Sequence, residues 1–216
     1  MRRMIQLTLV AGVWALAVSG VLAQPPGGFR GPGPLMLLGQ KSVQEELKLT
    51  EDQIQKVQAA AEKQRESFQG FRDLSDEERG KKFQEMAKEN EKFVADTLKP
   101  DQAKRLNQIS LQQQGGRAFA DDKLAKDLSL TDDQKGKIKD ILEDTGSQIR
   151  ELFQGGFSDE ARTKMRELNN AATEKIVGLL TADQKTKYQE MTGAPFKGEI
   201  RFGPPGGGGG NQKKDK

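Results

Sequence analysis

The 216-residue chain carries 35 basic and 32 acidic side chains, a formal charge of +3, and neither histidine nor cysteine. Those absences exclude disulfides, the usual thiolate or imidazole nucleophile–base pairs and the common zinc and copper ligands, and the near-balanced charge gives no basic footprint for nucleic acid or an anionic membrane. A hydrophobic share of 34% suits thin, elongated helical layers better than one thick core.

The first 24 residues, "MRRMIQLTLVAGVWALAVSGVLAQ", place two arginines before an apolar run and small residues before Gln24. This reads as a signal peptide, residues 1–23, cleaved after Ala23. The rival reading is a retained anchor, because the run is barely long enough to span a bilayer. Cleavage removes Arg2, Arg3 and the single tryptophan, Trp14, and takes the net charge from +3 to +1. With no cysteine to carry a lipid, no membrane insertion is expected afterwards, and the protein is expected to be periplasmic or secreted.

Residues 24–41 are Gly/Pro-rich and read as a disordered linker. The apolar group Leu35, Met36, Leu37 and Leu38 has two readings. It folds back as core, or it is an adaptable contact for varied partners, a use that suits Met36.

Residues 42–114 read as a first helical unit. A short helix over Val43–Leu47 leads to "LTEDQ" (Leu49 to Gln53). Thr50 as N-cap with Gln53 three positions on is a capping box, and Glu51 and Asp52 suit the positive end of the helix dipole. Ile54, Val57, Ala61 and Phe68 then share one helical face. "FQGF" (Phe68 to Phe71) reads as a turn, and "SDEE" at Ser75 starts a third helix carrying Phe83, Met86, Phe93 and Val94. A fourth begins at "LKPDQ", Leu98 to Gln102, where the capping Thr is lost but Pro100 suits the first helical position.

Residues 115–123 read as a linker, after which the plan repeats over residues 124–193. A short helix over Leu124–Leu128 precedes "LTDDQ" (Leu130, Thr131, Gln134), "FQGGF" spans Phe153 to Phe157, and "LTADQ" supplies Leu180, Thr181 and Gln184. Matching positions lie 81 to 83 apart, as in Leu49/Leu130, Leu98/Leu180 and Ser75/Ser158. The chain is thus read as a tandem duplication, all-α, of two four-helix units of roughly 80 residues built from elongated hairpins. Residues 194–216 are expected to form a disordered Gly-rich tail.

Paired carboxylates such as Glu77/Glu78 and Asp132/Asp133 read as solvated helix surface, since neighbours in sequence do not share a helix face. No calcium-loop or phosphate-loop pattern occurs. No cofactor, metal or enzymatic activity is expected.

The repeated "LTxxQ" in an exported, Gln/Lys/Glu-rich helical chain resembles the LTxxQ family of Spy/CpxP-like periplasmic proteins. Each half fits one family unit, with motifs about fifty residues apart. The chain departs from the family pattern by duplication, by Lys99 and Pro100 in the second motif, and by its Gly-rich ends. The resemblance implies a thin helical cradle that holds unfolded or partly folded envelope proteins without ATP, as a homodimer or, here, an intrachain pseudo-dimer. The alternative it implies is a non-catalytic regulator docking on one envelope sensor or scaffold. Candidate client contacts are Leu35, Met36, Leu37 and Leu38, with Phe68, Phe71, Arg72, Arg150, Phe153 and Phe157 around the two turns.

Overall fold

The computed structural model describes residues 33–154, 156 and 158–200. The expected signal peptide, Phe157, residues 201–216 and the Arg72 side chain lie outside the described residues. Among the described residues the chain is all-α. The helices are α1 (Pro34–Leu38), α2 (Lys41–Glu46), α3 (Glu51–Ser67), α4 (Asp76–Thr97), α5 (Pro100–Gln114), α6 (Asp122–Asp127), α7 (Asp132–Phe153), α8 (Asp159–Gly178) and α9 (Ala182–Thr192). Short 3-10 segments cover Phe71–Asp73 and Gly115–Ala120.

Local chemistry fixes where the helices start. Full capping boxes form at Thr50/Gln53, Ser75/Glu78, Thr131/Gln134 and Thr181/Gln184. Each satisfies two backbone N–H groups that would otherwise lack partners. Ser158 caps α8 by accepting from the Ala161 N–H at 3.1 Å. Lys99 has no side-chain acceptor, so at α5 only the return half survives, with its N–H donating to Gln102 Oε1 at 2.9 Å.

The leucine that opens the motif also ends the helix before it. The Leu49 N–H donates to Gln44 O and the Lys48 N–H to Glu45 O, which is a Schellman closure of α2. Leu130 and Ser129 close α6 in the same way, on Ala125 O and Lys126 O. The closure places Lys48 (φ 50°) and Ser129 (φ 53°) in the left-handed region. A side chain there costs about 1–2 kcal/mol, partly offset by the extra backbone entropy a glycine would lose. Lys48→Gly and Ser129→Gly are each expected to stabilise the fold by about 0.5–1 kcal/mol. A fall in thermal midpoint would show that the side chains contribute more than the strain.

Two clusters of buried side chains form the core. The first gathers Leu37 and Leu38 of α1 with Val43, Leu47, Val57, Val94, Leu98, Leu106 and Ile109. The second gathers Ala118 and Phe119 with Leu124, Ala125, Leu128, Leu130, Ile138, Ile176, Leu180 and Tyr188. In α3 and α7 the buried core residues lie near the helix start, and those of α4 and α8 include the helix end. The remainder of α3–α4 and of α7–α8 extends as antiparallel arms with few buried side chains. A helix of 22 residues such as α7 spans about 33 Å at ~1.5 Å per residue. None of the described helices is long and apolar enough to cross a membrane.

Three segments assigned to linkers or tail are packed. Within 24–41, residues Pro34–Leu38 are helical, and Leu35, Leu37 and Leu38 are buried, which is the core reading of that apolar group. Within 115–123, Gly115–Ala120 is a 3-10 segment whose Ala118 and Phe119 are buried, and Asp122 already belongs to α6. Within 194–216, residues 194–200 lack regular structure but pack Phe196 and Ile200 on the first core. In each case a few apolar side chains outweigh the glycine and proline around them, because burial is set by what a side chain meets rather than by local composition.

Candidate functional site

The motif glutamines meet in pairs. Gln53 Nε2 donates to Gln102 Oε1 at 2.8 Å, and Gln102 Nε2 donates back to Gln53 Oε1 at 3.2 Å. Each amide also holds the chain leading into the other helix. Gln53 Nε2 donates to Thr97 O (2.7 Å), and Gln102 Nε2 to Leu47 O (3.0 Å). Each Oε1 accepts its own N-cap N–H, from Thr50 at 3.0 Å and Lys99 at 2.9 Å. Two donors and two acceptor sites per amide are thereby used. Gln134 and Gln184 repeat the arrangement at 2.8 and 3.1 Å, with Leu179 O (3.0 Å) and Ser129 O (3.3 Å) as outer acceptors. A glutamate cannot donate, and an asparagine is one methylene shorter. The spacing of 49 or 50 positions between paired glutamines is the length of one hairpin. The motif residues Leu98, Leu130 and Leu180 are buried beneath these clamps, and Leu49 is half-buried on the first core. The motif glutamines are fold-closing devices whose amide donors and acceptors are used within the fold.

The client-contact candidates fall at two separate places. Leu35, Leu37 and Leu38 are buried at the base of the first hairpin, which removes them as a free contact surface, while Met36 on the same helix is 46% exposed. The phenylalanines lie at the other end of the arm. Phe68, Phe71 and Phe83 stack in series, with ring centroids 5.4 and 4.9 Å apart, and Phe68 and Phe83 stay 43% and 50% exposed. Gly70, at φ 78°, lets the chain turn tightly enough to bring Phe68 and Phe71 together. Phe83 lies on α4 with Met86, Phe93 and Val94, and of these Met86 and Val94 are buried. The arm outruns the core, so at Phe83 this face reaches solvent. Phe153 is half-buried at the end of α7, and its counterpart Phe157 lies outside the described residues.

Charge around the tips is largely compensated. Arg65 pairs with Glu62 at 3.1 Å and Arg79 with Asp76, while exposed Arg150 donates to Ser147 Oγ at 2.9 Å. Such exposed pairs contribute little to stability. No group of three or more metal-ligating side chains occurs among the described residues. A shallow depression of about 310 Å³ beside the second clamp is lined by side chains including Asp127, Asp183 and Lys187, without convergent chemistry.

Two carboxyls on α4 are shifted in opposite directions. The Ser75 hydroxyl and N–H hold Glu78 below the usual carboxylate range, so its contribution is lost as pH falls through its folded pKa. Burial raises Glu91, with Lys123 and Lys88 opposing the shift, and its Oε1 has no hydrogen-bond partner. A raised carboxyl disfavours the folded state when ionised, so stability is regained as pH falls through the folded pKa towards 4.5. Glu91→Gln is expected to raise the thermal midpoint at neutral pH and to flatten that regain. A lower midpoint at neutral pH would show that the carboxylate is needed where it lies.

Comparison with family models, curated proteins and solved structures finds no match for this chain.

Proposed function

We propose that the protein is an exported, ATP-independent holdase of the LTxxQ type, built as two tandem units of roughly 80 residues that pair within one chain and act in the periplasm or outside the cell. The observation that carries the reading is the aromatic tip, where Phe68, Phe71 and Phe83 form an open apolar surface at the far end of a thin arm. Structural phenylalanines in a chain this polar have little reason to remain half exposed at a turn. Unfolded polypeptides expose apolar side chains, and burying each contributes about 1.5–3 kcal/mol before ordering costs. Rigid arms present the aromatic groups without a further folding step, and nothing in this use requires a nucleotide.

The test is aggregation of an unrelated denatured enzyme, followed by light scattering, with the mature chain at substoichiometric to equimolar ratio and no nucleotide. Suppression is expected, and Phe68→Ser/Phe83→Ser is expected to weaken it while the circular dichroism is unchanged. Wild-type protein that leaves several clients untouched but binds one folded envelope protein saturably would move the assignment to the single-partner regulator.

A further inference from the structure

Residues 193–200, beyond α9, run back over α5 and the first core. Their main chain is held by side chains of other elements. Gln112 Nε2 donates to Thr192 O (2.6 Å) and Ala194 O (2.9 Å), and Gln112 Oε1 accepts from the Phe196 N–H (2.8 Å). Arg105 Nη1 donates to Ala194 O at 2.7 Å, while its Nε and Nη2 hold Glu46 of α2. Ser42 Oγ donates to Glu199 O at 2.7 Å. These bonds read backbone only, so the grip is indifferent to sequence. Selectivity comes from two side chains four positions apart, Phe196 and Ile200, on the first core. Backbone bonds that give affinity, with side-chain seats that give preference, are the way extended peptides are recognised.

Phe196 and Ile200 stay half-buried, whereas Leu37, Leu38 and Ile109 of the core they pack on are 0% exposed. The 193–200 strap is therefore a shallow outer layer, and the groove it fills lies over an apolar, fully buried core. Gly193, at φ 62°, makes the turn that starts the strap, and a Cβ there would lie 2.4 Å from the Gln108 side chain.

We propose that this groove is a binding site for an extended polypeptide segment with an aromatic residue four positions before an aliphatic one. Residues 194–200 occupy it in cis and are displaced by such a segment. The holdase reading supplies the segment, and the proposal rests on that reading for its ligand.

The probe is a fluorescein-labelled peptide with the sequence of residues 193–200, GAPFKGEI, read by anisotropy on the full mature chain. Phe196→Ser/Ile200→Ser frees the groove and is expected to bind at least about tenfold more tightly than wild type, because the resident segment no longer competes. Adding Gln112→Leu is expected to abolish that gain, and a peptide with serine at both anchor positions is expected not to bind. A second release variant keeps both anchors. Gly193→Ala puts a side chain at φ 62° and a Cβ 2.4 Å from the Gln108 side chain, which displaces the start of the strap. It is expected to bind the peptide more tightly than wild type. A folded released variant with unchanged peptide affinity overturns the proposal. If that variant does not fold, wild-type peptide affinity in Gly193→Ala overturns it. Concentration-dependent dimerisation of the released variant without peptide affinity overturns it too, and assigns the groove to a second copy. Peptide binding without aggregation suppression leaves the groove standing and removes the holdase reading, while suppression with no peptide binding by either release variant does the reverse.

Discussion

Gln134→Ala is expected to lower stability by about 2–4 kcal/mol, well beyond the ~1 kcal/mol expected for loss of the Thr131 cap alone. The difference arises because the glutamine does two jobs. Its Oε1 completes the capping box with the Thr131 N–H at 3.0 Å, which any box would do. It also shares two hydrogen bonds with Gln184 and holds Leu179 O, tying the start of α7 to the end of α8 and the start of α9. Truncation leaves the Leu179 carbonyl and one side of the Gln184 amide without partners in a half-buried place, and stranded groups cost about 1–3 kcal/mol each. Gln184 keeps Thr181 N–H and Ser129 O, which bounds the loss. Urea unfolding of Gln134→Ala, Gln184→Ala and the double variant checks this. The double variant is expected to lose clearly less than the sum, as coupled partners do. Additive losses near 1 kcal/mol apiece would mean that the glutamines act only as caps.

That contrast marks what the sequence could convey. A capping box is local, so Thr50, Thr131 and Thr181 were legible as helix starts, and the structure places them there. The face-to-face meeting of Gln53 with Gln102 is a contact across 49 positions, and no local pattern encodes it. At Leu35–Leu38 the core reading of the apolar group holds, whereas composition misled at 115–123. "PLMLL" and "GGRAFA" sit among glycine and proline, yet Leu37 and Leu38 lie 81 positions before Ala118 and Phe119. The repeat offset already held the sign that both pairs do the same work. The strap had no such sign, because Phe196 and Ile200 are two isolated apolar residues whose seats come from distant helices. The aromatic tip was legible only in part. Phe68 and Phe71 belong to the turn motif, while the stacking of Phe83 on Phe71 is a contact between α4 and the turn that no local pattern encodes.

Phe119→Ala tests the most consequential of these corrections. Residues 115–123 would behave as a linker if composition ruled, and truncation there would then be nearly neutral. The structure instead buries Phe119 to 3% exposure and sets its ring 4.8 Å from that of Tyr188. The segment is fixed by the Gly116 N–H donating to Thr173 Oγ1 at 2.7 Å, and a Cβ on Gly116 would meet Ile176 at 3.1 Å, so α8 leaves no room for a larger residue. Removing a buried phenylalanine costs about 3–5 kcal/mol through lost transfer energy and the cavity left behind. A change below 1 kcal/mol in urea unfolding would restore the linker. The same packing decides whether half the molecule can stand alone. The first core takes Leu37 and Leu38 from before residue 42 and Phe196 and Ile200 from beyond α9, and α5 lies against α9. A fragment of residues 42–114 therefore lacks four apolar groups and a helix that cover its core. It is expected to be poorly folded by circular dichroism or to dimerise in sedimentation, the dimer replacing the missing cover with a second copy. A monomeric fragment as stable as the whole chain would make the halves independent, and the exchange of covering segments between them would then contribute nothing to folding.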